Sequence, residues 1–587
     1  MNKQESDVMN ALMRGSYISQ RVLAEECGHS LGVVNRSIKN LMQCGYLDED
    51  MQPTEMAISE WKEKAPRNAV ILAAGFGMRM VPINTETSKG LLKVKGEPLI
   101  ERTIRQLHEA GITEIYIVVG FMKEQYEYLM DKYGVELIVN ASYAVKNNLH
   151  SLELALPHLS NTYIIPCDIW CEHNPFSRQE LYSWYMVSDM VDAESTVRVN
   201  RKMELVAAPK DAGGNVMIGI CYLLEEEAAV VREQITRLCQ DRRFDQSFWE
   251  EALYCRDRMI VQAKVVPAAE VIEINTYEQL RNLDGNSDQL KSDVILLLAD
   301  VLGVTANDIV DIAVLKKGMT NRSFLFSCGG QKYIMRIPGE GTDQLINRKE
   351  EALVYQTIMG MGICDDVVYI NPENGYKLTK FIDGVRCCNP DDVDDLKRCM
   401  AKLKEFHDRK LQVNHTFDIF EKIDFYESLW DGAPSAYGDY AVTKEHVLSL
   451  KPYIDAHVTE WSLTHIDAVP DNFLFAGDDI RLIDWEYAAM QDPHVDIAMF
   501  CIYSLYNREQ VDRLIDIYFK GTCAKETRIK IYCYIAAAGL LWSNWCEYKR
   551  QLGVEFGEYS LRQYRFAKDY YKIVRQELEK GADGGDE

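Results

Sequence analysis

The stretch His465-Ile466-Asp467-Ala468-Val469-Pro470-Asp471-Asn472, followed by Ile483-Asp484-Trp485-Glu486, constrains this chain more than any other. It supplies a carboxylate to accept a hydroxyl proton (Asp467), an amide oxygen for a metal (Asn472) and a second carboxylate for the same metal cluster (Asp484), the inventory of a phosphoryl-transfer site. Asp467 to Asn472 make one tight loop that can aim both side chains at a single Mg²⁺. Leu482-Ile483 reads as a short buried strand that delivers Asp484 from the other side. A fold hosting these residues must bring a loop and a strand end to one point.

With 587 residues the chain is too long for one core, and about one domain per 150 residues suggests three or four. The net charge of -25 argues against a general binder of nucleic acid or anionic membranes, because phosphates would be repelled outside local basic patches. Substrates carrying a cation fit that balance better. The 16 cysteines follow no secretory signal and lack paired C-x-x-C spacing, so a cytosolic (cytoplasmic) chain with reduced, mostly buried thiols is expected. Cys167 and Cys171 with His173 could form a metal cluster, but the two cysteines are read as plain core thiols. No apolar run is long enough to cross a bilayer.

Residues 1–65 alternate short helical patterns with turns. Val8 to Met13 is apolar at helical spacing, Ser19 and Ser30 can cap helices, and the second of these carries Val33, Val34, Ile38 and Leu41. Gly45-Tyr46-Leu47 reads as entry to a wing. The segment resembles the winged helix-turn-helix modules of bacterial regulators. Arg36 and Lys39 could face DNA phosphates, but acids outnumber bases, so a packing or dimerisation role is equally compatible. A homo-oligomer is allowed.

In residues 67–285, Val70-Ile71-Leu72-Ala73-Ala74 is an apolar strand breaking into Gly75-Phe76-Gly77-Met78-Arg79, followed by a helical pattern from Ile100 to Ala110 and a strand at Ile115 to Val119, a parallel βαβ unit. Glycines at a strand end let backbone approach a polyphosphate, and Arg79 with Lys89 can neutralise its charge. The run from Leu72 to Arg79, with Pro82, Thr87 and Lys89-Gly90-Leu91-Leu92, resembles the signature of nucleotidyltransferases that join a nucleoside triphosphate to a phosphorylated substrate. Ser88 stands where those families usually have proline. The resemblance implies a Rossmann-like domain with Leu72, Ala73, Ala74, Gly75 and Gly77 at the nucleotide, and Asp168, at the tip of Tyr163 to Asp168, as Mg²⁺ ligand. It implies a second acid in Val271 to Thr276, where many relatives carry aspartate at the place of Asn275, leaving Glu273 or Asn275. Asn140 to Ser151 resembles the segment beside the base in cytidylyltransferases, which implies Asn148 and Ser151 as nucleotide contacts.

Residues 284 to 290 are a polar, turn-forming junction, and 290–587 reads as a third region. Lys316 to Ser323 looks like a turn able to cover nucleotide phosphates, with Thr320, Asn321 and Ser323 as contacts. In the alternating strand Lys332 to Ile337, Arg336 stands where kinase-like folds put a phosphate-binding cation, and Glu351 on the next helix is its natural ion-pair partner. Leu378 to Gly384 leads into a hinge where adenine would sit. Together these features resemble the aminoglycoside phosphotransferase and choline kinase superfamily, and more narrowly the bacterial choline kinases. That implies a bilobal, protein-kinase-like fold with Asp467 as base, Asn472 and Asp484 as metal ligands and His465 as a structural member of the loop. Trp542 and Trp545 lie on one helical face, three positions apart, and ring faces hold a quaternary ammonium. Tyr548, and Trp485, Glu486 and Tyr487 after the metal ligand, can add aromatic surface and counter-charge.

The chain is thus expected to be a multidomain α/β and α+β protein. A kinase acting on a small alcohol, fused to a nucleotidyltransferase that consumes a phosphorylated alcohol, implies consecutive steps. Choline and ATP give phosphocholine, and phosphocholine and CTP give CDP-choline, which would supply phosphocholine for decorating a cell-surface polymer. Trp170, Trp184 and Tyr185 are candidates for the second ammonium site. Two alternatives stay open: the same chemistries on ethanolamine or another amino alcohol, and a transcriptional regulator sensing choline metabolites.

Overall fold

The computed structural model describes residues 1–15, 19–209, 212–315, 321–339, 345–551, 554 and 556–582. They form two compact units, Met1–Val314 and Leu315–Glu587.

The first unit begins with helices Lys3–Arg14, Gln20–Cys27 and Leu31–Gln43. Each starts where a side-chain oxygen satisfies an otherwise unpaired backbone N–H: Asn2 for Glu5, Ser19 for Val22 and Ser30 for Val33. An antiparallel bridge between Leu47 and Pro53 marks the wing. Val8, Met9, Leu23, Val34, Ile38 and Leu41 form the small core, and Leu181 of the next region completes it. Arg14 donates to Ser177 Oγ (3.2 Å) and Tyr182 to Asp7 (3.2 Å), tying the module to its neighbour. Arg36 and Lys39 are exposed.

The strand Asn68–Ala73 is buried along its whole length, as expected for a parallel strand covered on both faces. It pairs in parallel with Glu114–Val119 and with Thr162–Pro166. The sheet runs Glu136–Val139, Glu114–Val119, Asn68–Ala73, Thr162–Pro166, Gly214–Leu223, Trp184–Asp192, Arg258–Val266. Alternation along the central strand sends Ala69, Ile71 and Ala73 to one core and Val70, Leu72 and Ala74 to the other. At its carboxyl end Gly77 takes φ 59°, where only glycine is unstrained, and a Cβ on Gly75 would meet nothing within 4 Å because it would point into open space. The unit continues past the turns at 284–290 with the capped helix Asp293–Leu302, whose Asp293 N–H donates to Glu86 (2.8 Å).

In the second unit, strands Asn321–Cys328, Gln331–Pro338, Lys377–Lys380 and Val367–Ile370 form an antiparallel sheet in that order, with helix Arg348–Ile358 following the second strand. The rest is mainly helical around Lys525–Gln551, whose residues Ile529 to Leu541 are buried on every side, the pattern of a helix at the centre of a bundle. Gly539 lets the last helix, Glu558–Ala582, cross closely: a Cβ there would come within 2.7 Å of the Gln563 carbonyl oxygen and of Phe566. Strands Phe473–Ala476 and Asp479–Leu482 make a hairpin between the Asp467 loop and Asp484. Among the described residues, no helix is long and apolar enough to cross a membrane.

Two candidate active sites

In the second unit a cavity of about 900 Å³ is lined by Asp467, Asn472 and Asp484 together with Arg336, Ser323 and the tryptophans Trp542 and Trp545. Asn472 Nδ2 donates to the Asp467 carbonyl oxygen (2.8 Å) and to its carboxylate (3.1 Å), so the amide turns the loop back on itself. Buried Asp496 holds that loop by accepting from the N–H groups of His465 (3.0 Å) and Ile466 (2.7 Å), and it also meets His407 Nε2 (2.9 Å). The Asp467 N–H donates to His465 Nδ1, which makes Nε2 the protonated nitrogen that reaches the Ile483 carbonyl (2.9 Å). One imidazole therefore locks the two ends of the site together. Ile466 and Asp484 both adopt positive φ, 69° and 68°. That conformation costs a non-glycine residue about 1–3 kcal/mol and is concentrated at functional loops.

Arg336 makes a bidentate pair with Glu351 (Nη2 to Oε2, 2.9 Å) and donates to the Gly375 carbonyl, and Arg348 bridges Glu351 (3.0 Å) to Glu486 (3.5 Å). Burial alone would raise the Glu351 carboxyl, but adjacent Arg336 overrides it and holds it below the usual range. The opposite holds nearby: burial, then the charges of Asp484 and Glu486, push Asp467 well above the carboxylate range, and burial with Asp484 pushes Glu486 up to about 7. Convergent carboxylates without enough positive charge are a donor set that fits a divalent cation, and Asp467, Asn472 and Asp484 supply only oxygen ligands of the kind Mg²⁺ prefers.

The aromatic part of the lining is assembled from four segments. Trp542 meets Trp545 (5.4 Å, 77°) and Tyr487 (6.1 Å, 88°), Trp545 meets Phe556 (5.0 Å), and Tyr503 and Tyr559 complete the wall. Phe556, Tyr559 and Tyr503 were not legible as site residues, having no periodic or motif signal. Two expected members fall elsewhere. Trp485 is wholly buried, donating to the Leu482 carbonyl (2.7 Å) and packing edge-on against Phe406 and His465, so it buttresses the imidazole instead of facing the cavity. Tyr548 packs against the core outside the cavity lining, with Lys549 5.8 Å from its ring. Thr320 and the Asn321 side chain lie outside the described residues.

In the first unit a cavity of about 710 Å³ opens at the carboxyl ends of the central strands, lined by Leu72, Ala74, Gly75, Gly77, Asn148 and Ser151 on one side and by Arg79, Lys89, Asp168, Glu273 and Asn275 on the other. Ala73 is not among them, because strand alternation turns its methyl into the opposite core. Lys89 Nζ pairs with Asp168 and donates to Asn275 Oδ1 (2.7 Å), which also accepts from Arg79 (2.8 Å). Asp168 Oδ1 is buried with no hydrogen-bond partner among the described residues, and burial followed by the Asp168 charge raises Glu273. An orphaned carboxylate oxygen beside a second, half-buried acid fits a divalent cation here too. Asn148 accepts from the Trp249 N–H (2.8 Å), and Ser151 from Asn140 (3.0 Å).

In the same lining Tyr185 donates to Glu250 (3.0 Å) and stands 6.2 Å from Trp249; Glu250 Oε2 is buried without a partner among the described residues, and burial pushes its carboxyl up to about 7. Trp249 and Glu250 were missed, although the run Phe248-Trp249-Glu250-Glu251 is an aromatic-acidic cluster that could have drawn attention. Trp170 and Trp184 are corrected. Both are buried off the cavity and already carry a protein cation on the ring face, Lys95 at 4.2 Å from Trp170 and Lys264 at 3.8 Å from Trp184. Cys167 and Cys171 are free core thiols and His173 is exposed.

Fold and sites together define a nucleotidyltransferase joined to a kinase-like phosphotransferase. Residues 1–48 match the winged helix-turn-helix DNA-binding family, 69–183 the MobA-like NTP transferase domain and 312–562 the choline/ethanolamine kinase family. A choline-phosphate cytidylyltransferase from Streptococcus pneumoniae is 30% identical over 221 residues, which is 37% of this chain and 96% of that protein. Protein LicA of Haemophilus influenzae is 25% identical over 260 residues, 42% of this chain and 95% of its own length. The crystal structure of choline kinase LicA from Streptococcus pneumoniae aligns at 25% identity and TM-score 0.43, covering 49% of this chain and 100% of that one. The chain belongs to the choline-phosphate cytidylyltransferase family, and carries a choline/ethanolamine kinase region and a winged-helix region on the same polypeptide.

Proposed function

We propose that this chain makes CDP-choline from choline in two steps, acting in the cytoplasm, with a winged module at 1–65, a cytidylyltransferase at 67–285 and a choline kinase at 290–587. The observation that carries the reading is a repeated pairing: each cavity is lined both by an acidic, metal-compatible centre and by aromatic rings with a buried glutamate. A quaternary ammonium has no N–H to donate, so it is held by ring quadrupoles and a counter-charge, and that is what both linings offer. In the kinase cavity Trp542, Trp545 and Tyr487 would hold the trimethylammonium and Glu486 supply charge. In the other cavity Tyr185, Trp249 and Glu250 would do so.

In the first reaction Asp467 accepts the choline hydroxyl proton as that oxygen attacks the γ-phosphorus of ATP; the bond to the bridging oxygen breaks and ADP leaves. Arg336, held by Glu351, contacts the phosphates, and Ser323 lies under them. In the second, a phosphate oxygen of phosphocholine attacks the α-phosphorus of CTP and pyrophosphate leaves, while Arg79 and Lys89 neutralise the crowded phosphates. Asn148 and Ser151 line the base end. Mg²⁺, held by Asn472 and Asp484 in one site and by Asp168 with Glu273 or Asn275 in the other, would supply Lewis-acid charge stabilisation.

The test is direct. Purified chain is incubated with choline, ATP, CTP and Mg²⁺, and CDP-choline is sought by mass spectrometry, with ethanolamine run in parallel. Turnover on ethanolamine matching that on choline, or absence of either product, overturns the assignment.

A further inference from the structure

His150 is a buried histidine with a carboxylate beside each ring nitrogen. The short helix Asn148–Glu153 sends Asn148 and Ser151 to the nucleotide cavity, whereas His150, only 4% exposed, is absent from that lining. Its Nδ1 stands 3.2 Å from Glu153 Oε2. Its Nε2 is 3.2 Å from Asp245 Oδ1, yet buried and without hydrogen-bond geometry to any partner among the described residues. A neutral imidazole has one N–H and cannot donate to two carboxylates, so the pair of contacts calls for a positive charge at the ring, which a second ring proton, Lys146 or a bound ion can supply. The third member is Cys239, at the end of helix Glu225–Cys239: one ligand atom from each of His150, Glu153 and Cys239 lies within 4.8 Å of the others.

The spacing and the chemistry agree on what the charge is. Two ligands of a tetrahedral Zn²⁺, each about 2.0–2.1 Å from the metal, stand about 3.3 Å apart, close to the 3.2 Å between Nδ1 and Glu153. Imidazole, carboxylate and thiol make a mixed, borderline-soft set that selects zinc-class ions over Mg²⁺. A carboxylate on the far nitrogen, as Asp245 is, commonly orients a ligating imidazole. Lys146 Nζ, 3.5 Å from Nδ1 and 3.4 Å from Asp245, supplies positive charge when no ion does, and its side chain is a third exposed. Glu153, with a side chain 41% exposed, leaves an entry from solvent.

We propose that His150, Glu153 and Cys239 bind a zinc-class divalent ion, with Asp245 orienting the imidazole, and that its occupancy clamps the helix bearing Asn148 and Ser151 to helix Glu225–Cys239. Burial and the adjacent Glu153 charge push the Cys239 thiol up to about 12; its proton leaves to solvent as the sulfur–metal bond forms. The test titrates the metal-stripped full chain with Co²⁺ in excess Mg²⁺, which fills sites built of oxygen ligands. One equivalent should bind with sulfur-to-cobalt charge-transfer absorption in the near ultraviolet, displaced by Zn²⁺. The absorption should vanish in Cys239→Ser and in His150→Gln, and affinity should fall roughly tenfold or more in Asp245→Asn. Circular dichroism establishes that each variant is folded, and Glu153→Gln, at the exposed rim, gives a variant in which misfolding is not at issue. No charge-transfer band in the parent chain, or a band unchanged in Cys239→Ser and Glu153→Gln, overturns the proposal.

Discussion

At the scale of single residues, the proposed kinase chemistry rests on one carboxylate whose surroundings do the positioning. Asp467 is aimed by Asn472 and by a loop that Asp496 holds through two backbone N–H groups. Asp467→Asn keeps that shape but cannot take a proton, so phosphocholine formation should fall by about a hundred- to ten-thousandfold, with conversion of added phosphocholine to CDP-choline unchanged. Two separate assays on one preparation check this, and retained kinase turnover removes Asp467 from the role. Trp542→Ala or Trp545→Ala should each raise the choline KM roughly 5- to 30-fold, corresponding to about 1–2 kcal/mol of cation–π interaction, with the ATP KM unmoved. Steady-state kinetics in both substrates separates this from a general loss of packing. In the other unit, burial holds the Glu250 carboxyl at about 7, so it gains its charge as pH rises through that value and the KM for phosphocholine should fall over the same window. Glu250→Gln should raise that KM and abolish the Glu250 part of the pH profile; a profile identical to the parent's would mean the carboxyl does not meet the ammonium.

At the scale of elements, the chain uses buried apolar runs to place its chemistry at element ends. Asn68–Ala73 and Thr162–Pro166 are buried parallel neighbours, and the glycine turn and Asp168 sit just beyond their carboxyl ends. This much was legible, because a strand run followed by glycines or a carboxylate is local in sequence. The docking of the winged module was not, since Leu181 looks like any other leucine until it is seen filling the module's core at 2% exposure. Leu181→Ala should cost about 2–5 kcal/mol and make residues 1–65 the first part cut in limited proteolysis. An unaltered cleavage pattern would mean that the core closes without it.

At the scale of the whole molecule, each cavity is complete within its own unit. Chains bearing Asp467→Asn mixed with chains bearing Asp168→Asn should therefore restore CDP-choline synthesis from choline, phosphocholine passing through solution. Failure to restore it, with each variant still active in its own remaining step, would mean that the intermediate is not released. The strongly acidic balance of -25 is consistent with the proposed substrates, each of which carries an ammonium, and with nucleotide phosphates met at local cations, Arg79 and Lys89 in one cavity and Arg336 in the other.

Sequence alone pointed to the groups proposed for the chemistry: Asp467, Asn472, Asp484, Arg79, Lys89 and Asp168 stand at spacings that a loop or a strand end must honour, so order along the chain carries the information. It could not rank aromatic rings. Trp485, Trp170 and Trp184 read as well as Trp542 and Trp545, and only packing decided that the first three close a core or sit under a lysine while the last two face a cavity. The same holds for Glu250, Asp496 and Phe556, because which ring face stays open and which buried charge stays uncompensated depend on segments far apart in the chain that meet only when it folds.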